Sequence, residues 1–358
     1  MAKRENPPLI QAQKQVGIKD LATTLGISIG TVDRALHNRP GISPMTRKRV
    51  LKMAETLGYR PNLAARFLKS NKRLTFSVNL PRHIGAFFDA VREGVAAAAE
   101  AAGVGLEYRT CRLLGEGDVR LFEEALEAGT NGIIVAPGDP SYMKALIRRA
   151  SQQNVPVVCV ATDAPGSGRL TAISADSYTC GAVAAELLCQ GAAGGGTAAV
   201  ITGFQSTYDH AEKVRGFRET LAKIPGALSI AAIAEAHDED PEAFARTTDI
   251  LEKHPELSAI YVSTANSIPV LRAIGRAGRA ANLRVVTTDL FPGLVPFIRS
   301  GAVNATIYQR PVTQGRLAFE RLYAFLTKGT CPPGKVVLRP YVVMQSNLDL
   351  TLDPESVE

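Results

Sequence analysis

From Leu74 onward the chain alternates short apolar runs with amphipathic stretches, and no other feature limits its fold as tightly. TFSVNL, GLEYR, GIIVAP, VPVVCVAT, TAAVITGF, SAIYVST, RVVTTD and NATIYQ are too short for helices and read as buried strands. Between them, FDAVREGVAAAAEAAG, VRLFEEALEAG and YMKALIRRA place apolar side chains at helical spacing. Strand and helix in alternation give an α/β fold with parallel sheets. Roughly 280 residues of such units exceed one comfortable core, which predicts two lobes with a cleft between them. Ligands of parallel sheets sit beyond the carboxyl ends of the strands. Polar and aromatic residues gather at those ends: Phe87 and Phe88, Asp163, Tyr208 with Asp209 and His210, Asn266, Asp289 and Gln309.

The first fifth of the chain has another character. Residues 1–75 hold 15 Lys or Arg against 4 Asp or Glu, leaving 26 against 30 for the remainder, so the surface suited to an acidic partner is confined there. In IKDLATTLGISIGTVDRAL, apolar side chains fall at Ile18, Leu21, Ala22 and Leu25, then at Val32, Ala35 and Leu36. That spacing gives two short one-faced helices broken at Gly26, with Ser28 as N-cap of the second. A third helix starts at Ser43-Pro44 and buries Val50, Met53, Ala54 and Leu57. Such a trio is a small all-α helix-turn-helix domain. Ile29, Gly30, Asp33, Arg34 and His37 have no packing task in the second helix. An Arg there can donate two hydrogen bonds to a guanine edge in the major groove, and Lys19, Arg47, Lys48 and Arg49 are placed for phosphates. A helical bundle with a solvated basic face is the plainer alternative.

VGIKDLATTLGISIGTVDRALHNRPGISPMTRKRVLKMAETLGYRPNLAARFLKS resembles the headpiece of the LacI family of transcription regulators throughout, with TVDRAL, GISPMTRKRV and GYRPNLAARFLKS in the family's order and spacing. The likeness implies that Ile29, Gly30 and Arg34 read bases, with Lys19, Ser28, Thr31, His37 and Asn62 in the same interface. The family usually has Ser where Asp33 stands; the acid either accepts from a cytosine amine or orients Arg34. Ala64, Ala65 and Leu68 suit a short hinge helix that orders against DNA. By the resemblance Leu68 wedges into a minor-groove step beside Lys69, with interdomain packing as the other reading of Leu68.

The large region resembles the family's periplasmic-binding-protein-like effector domain, above all the ribose-type sugar binders. By that likeness Asp289 and Gln309 contact sugar hydroxyls and Phe87 and Phe88 flank the ring; Asn266 fits after a one-residue shift. Two departures stand out: Ala161 replaces a frequent acid, and Ala211 and Lys213 occupy two arginine positions. Alternatively Phe87 and Phe88 are core, Asp163 and Asp289 are caps, and His210 is a packed histidine.

These readings divide the chain into a headpiece (1–60), a hinge (61–73) and an effector and dimerisation domain (74–358), its lobes spanning roughly 74–174 plus 305–335 and 175–304 plus 336–358. The expected function is that of a regulator, most simply a repressor, bound as a homodimer to a near-palindromic double-stranded operator and controlled by a sugar-like effector. A solute-binding protein of sugar transport is the alternative. Enzyme motifs, cofactor fingerprints and ligand-spaced cysteine pairs are absent from the sequence, and Cys111, Cys159, Cys180, Cys189 and Cys331 read as reduced thiols. With neither a signal-peptide run nor an 18-residue apolar stretch, the expected location is cytoplasmic, without a membrane partner.

Overall fold

The computed structural model of the protein describes residues 16–36, 39–57, 74–190 and 195–352. It comprises two compact units, residues 1–71 and 72–358.

In the first unit, α1 (Ile18–Leu25), α2 (Ile29–Leu36) and α3 (Pro44–Thr56) enclose Leu21, Val32, Ala35, Val50 and Ala54. Met53 and Leu57 pack against this core partly buried. Gly26 ends α1 at φ 65°, a left-handed conformation open to glycine, and its N–H bonds back to Ala22 and Thr23. Ser28 Oγ accepts from the Thr31 N–H at 3.1 Å, and Ser43 Oγ from the Thr46 N–H at 3.1 Å, so both expected N-caps form.

The second unit holds two six-stranded sheets. We number its strands β1 (Thr75–Asn79), β2 (Gly105–Arg109), β3 (Gly132–Val135), β4 (Val157–Val160), β5 (Thr171–Ala175), β6 (Thr197–Thr202), β7 (Ser229–Glu235), β8 (Leu257–Val262), β9 (Arg284–Thr288), β10 (Ala305–Tyr308), β11 (Lys335–Leu338) and β12 (Tyr341–Val343). The first sheet runs β11-β5-β4-β3-β1-β2 and is wholly parallel; the second runs β12-β10-β9-β8-β6-β7, with only β12 antiparallel. Central strands are buried on both faces, and their side chains divide with period two. In the second lobe Ala199, Ile201, Ile260 and Val262 join a core with α9 (Asp240–Lys253) and α10 (Ser267–Arg276), whereas Ala198, Val200, Ala259 and Tyr261 join one with α7 (Ser177–Cys189) and α8 (Tyr208–Leu221).

The chain passes between sheets after β5, after β10 and between β11 and β12. This corrects the lobe limits drawn from sequence. Residues 305–308 belong to the second sheet, because β10 pairs with β9 (Ala305 with Val286) and β12 (Thr306 with Val343), and the crossover follows the strand instead of preceding it. Residues 335–338 pair with β5 in the first sheet.

Glycine sets the helix packing in both lobes. A Cβ on Gly94 of α4 (Gly85–Ala102) would lie 2.0 Å from the Val312 carbonyl of α12 (Pro311–Lys328), and one on Gly315 would lie 2.0 Å from that of Val91. Gly181 and Gly216 repeat the device between α7 and α8, at 1.9 Å from Lys213 O and 2.0 Å from Tyr178 O. Backbone touches backbone at these crossings.

Candidate binding cleft and nucleic-acid interface

A recess of about 440 Å³, measured to its open mouth, lies where the carboxyl ends of both sheets face each other. Three lining residues, Ala161, Asp238 and Asp289, adopt left-handed φ values of 69°, 57° and 70° without being glycine. Such strain gathers where a fold is held for function.

The first lobe contributes an apolar wall and a turn. Phe87 and Phe88, in the first turn of α4, are buried and meet edge to face at 5.1 Å. Both line the recess with Ile84, Leu114, Ala161 and Thr162. The second lobe contributes the charges. His210 sits in the first turn of α8, its Nε2 3.9 Å from Asp209 Oδ2 and 4.0 Å from Asp238 Oδ2. One turn on, Lys213 Nζ lies 3.3 Å from Asp209 Oδ2 and 3.4 Å from the Ser263 carbonyl oxygen. Asp289 follows β9 and Gln309 follows β10; the Gln309 amide donates to both Asp289 oxygens at 3.0 and 3.1 Å. The recess is thus a built polar network with an aromatic side.

Electrostatics separate the two carboxylates nearest Lys213. Burial pushes Asp209 upward, but His210 and Lys213 outweigh it and hold the acid at about 2. Burial pushes Asp289 up to about 6, against the pull of Lys213 and Gln309. Lys213 itself is raised: burial disfavours its charge, and Asp209 and Asp289 more than restore it. Cleft polar atoms without partners remain among the described residues, namely Asp209 Oδ1 and Asp238 Oδ2.

Of the residues picked from sequence, Phe87, Phe88, Asp209, His210, Asp289 and Gln309 line the recess together. Tyr208, Asp163 and Asn266 do not. Asp163 is buried against Arg169, which donates from Nε and, at 2.6 Å, from Nη2, making a structural ion pair. Asn266 donates to Asp240 Oδ1 at 2.7 Å and accepts from Thr264 at 3.2 Å, tying the starts of α9 and α10 together. Sequence reading passed over Asp238 and gave Lys213 no role. Asp238 stands in an acidic loop, HDEDPE, that reads as a helix cap, and its left-handed turn carries no sequence mark.

In the headpiece, α2 turns Ile29 (50% exposed), Gly30 and Arg34 outward. Lys19 is exposed on α1, and Ser28 and Thr31 share a 2.9 Å hydroxyl contact at the start of α2. Asp33 pairs with Arg39 at 3.0 Å, an intramolecular partner absent from either sequence reading. Arg47 and Arg49 are partly occupied as well, donating to the Arg39 and Leu25 carbonyls at 2.9 and 3.0 Å, while Lys48 is exposed. His37, Asn62, Leu68, Lys69 and the hinge lie outside the described residues. Among those described, no helix is long and apolar enough to cross a membrane.

Residues 17–62 match the model of bacterial regulatory proteins of the lacI family, and residues 76–330 match that of the periplasmic binding protein domain. The chain is 26% identical to catabolite control protein A of Priestia megaterium over 256 residues, covering 70% of this chain and 74% of that one. It is 26% identical to the HTH-type transcriptional regulator AglR of Rhizobium meliloti over 345 residues, 88% of this chain and 90% of that one. Among solved structures, GanP, a glucose-galactose binding protein from Geobacillus stearothermophilus, superposes with a TM-score of 0.72 at 28% identity, over 77% of this chain and 99% of GanP. With a lacI-type helix-turn-helix followed by a periplasmic binding protein domain over most of its length, the chain belongs to the LacI family of DNA-binding transcription regulators.

Proposed function

We propose that the protein is a cytoplasmic repressor that binds a near-palindromic operator as a homodimer and changes its operator affinity when a polyhydroxylated, sugar-like effector enters the cleft. The observation that carries this is one chain with both an outward Arg34 face on α2 and a recess pairing Phe87 and Phe88 with Asp289. Carboxylates accept from hydroxyls and aromatic faces cover the C–H side of a sugar ring. GanP, similar over the same region, carries a glucose-galactose binding description. A transport binding protein, the other reading of the large domain, would leave the headpiece without a task.

In this reading Ile29, Gly30 and Arg34 contact base edges, while Lys19, Ser28, Thr31 and Lys48 surround the phosphates. Twofold symmetry supplies the base pairs that one eight-residue helix cannot cover. The test begins with a duplex selected from a random pool, whose retention falls steeply with salt. Arg34→Ala should relax discrimination at one base pair per half-site, by about 1–3 kcal/mol. Lys48→Ala should weaken all sequences alike. Sedimentation should give a dimer on the duplex; a lasting monomer there rejects the dimer. A thermal-shift panel of neutral sugars, polyols and sugar acids tests the effector class.

A further inference from the structure

The ionisable lining of the recess does not balance. Asp209, Asp238 and Asp289 face Lys213 and His210. Three carboxylates therefore meet two cations if the imidazole is protonated and one if it is not. The nearby arginines do not correct this. Arg169 is engaged by Asp163, and Arg112 by Glu116 and Glu239.

Within the recess the cation and the amide donor are already placed. Lys213 Nζ faces Asp209 Oδ2 and the Ser263 carbonyl, and Gln309 serves Asp289. Asp238 has no cation of its own. Thr264 Oγ1 donates to its Oδ1, while Oδ2 has no hydrogen-bond partner, only the His210 imidazole at 4.0 Å, although the residue is only 4% exposed. Asp209 Oδ1 likewise lacks a hydrogen-bond partner, the neighbouring Thr207 hydroxyl donating to the Phe204 carbonyl at 2.7 Å. Both carboxylates approach His210, with their Oδ2 atoms 3.9 and 4.0 Å from its Nε2. Gly203 allows this approach, since a Cβ there would lie 2.5 Å from His210 Nε2 and 2.9 Å from Asp238 Oδ1.

A buried carboxylate oxygen without a donor is costly, more so beside a second carboxylate. A neutral sugar hydroxyl donates one hydrogen bond and leaves the surplus charge in place. An ammonium donates three hydrogen bonds, accepts none and removes a unit of that surplus. Resting on the sugar-like reading above, we propose that the effector is an amino sugar whose ammonium lodges between Asp209 and Asp238 while its hydroxyls reach Asp289 and its apolar side covers Phe87 and Phe88. The rise of Asp289 to about 6, driven by burial with Asp209 adding to it, fits a site short of positive charge.

Isothermal titration of the full chain tests this with D-glucosamine, D-galactosamine and D-mannosamine against D-glucose, D-galactose, D-mannose and N-acetyl-D-glucosamine, in which the amine carries no charge. At least one amine should bind ten-fold or more tightly than its neutral parent. Asp238→Asn should bring that ratio close to one, with circular dichroism confirming the fold; Asp209→Asn reads the same ratio if the first variant does not fold. A neutral parent binding as tightly as its amine, or an unchanged ratio in a folded variant, overturns the proposal and leaves the sugar-like reading standing. Heat from none of these sugars also overturns it, and the wider neutral panel then decides that reading separately.

Discussion

Asp289 combines three properties that rarely coincide in a surface loop: a left-handed backbone at φ 70°, near-complete burial and a pKa raised to about 6. Its carboxylate is the form that accepts hydroxyl hydrogen bonds. Binding to that form releases the proton, so effector affinity should hold above pH 6 and fall as pH drops below it, approaching ten-fold per unit. For folding the sign is opposite: a raised acid withholds stability at neutral pH and returns it as pH falls from about 6 toward its ordinary 3.8. Asp289→Asn should flatten the pH dependence of binding and lower neutral-pH affinity roughly ten- to a hundred-fold, the cost of a lost charged hydrogen bond. Calorimetric titration across pH 5–8 decides it. Equal affinities in the folded variant would make Asp289 a cap, as its position at a strand end also allowed.

Among the elements, α7 and α8 cross so closely that each needs a glycine at the contact. The consequence reaches the cleft, because the carbonyl facing Gly181 belongs to Lys213. Gly181→Ala must push α8 outward, costing about 1–3 kcal/mol of stability as overpacking does. It should also draw Lys213 off Asp209 and weaken effector binding. Gly315→Ala imposes the same kind of clash, 2.0 Å from Val91 O, between α4 and α12. Its melting temperature should fall by a comparable amount while the Lys213 contacts stay intact. Thermal melts paired with titration separate the two, and a Gly181→Ala protein with full affinity would contradict the coupling.

Across the whole effector domain, the two lobes are tied at the cleft mouth. Glu239 of the second lobe accepts from Arg112 of the first and lies 3.6 Å from His83 Nε2, while Arg112 also holds Glu116 at 2.7 Å. The Asp209 N–H reaches Thr162 Oγ1 across the same gap at 3.4 Å. Half-exposed ion pairs are weak singly, so this network biases closure without locking it. A ligand that requires the closed form gains whatever bias the protein supplies. Glu239→Gln should therefore raise the radius of gyration of the ligand-free effector domain in small-angle scattering and weaken effector binding several-fold. An unchanged radius would show that the ion pairs follow closure and do not favour it.

What the sequence determined by itself was everything written in short-range periodicity. Helix caps at Ser28 and Ser43, the glycine break at Gly26, and central strands such as β3, β6, β8 and β9 each follow from neighbours within a few positions. The recess-lining positions of Phe87, Phe88, His210, Asp289 and Gln309 were legible because each lies a few residues beyond an apolar run, on the side where parallel sheets leave a crevice. Weak amplitude hid β5, TAISA, fully buried but built of small residues, β7, SIAAIAE, only partly buried at the sheet edge, and the short β11 and β12. Tertiary structure alone decided which partner each acid would meet. Asp163 and Asp289 both follow buried strands, yet Arg169 claims one for the framework and the other faces the recess. Asp238 and His210 lie 28 positions apart and meet only because β6 and β7 are adjacent in the sheet. Register between distant strands fixes such contacts, and no local pattern encodes it.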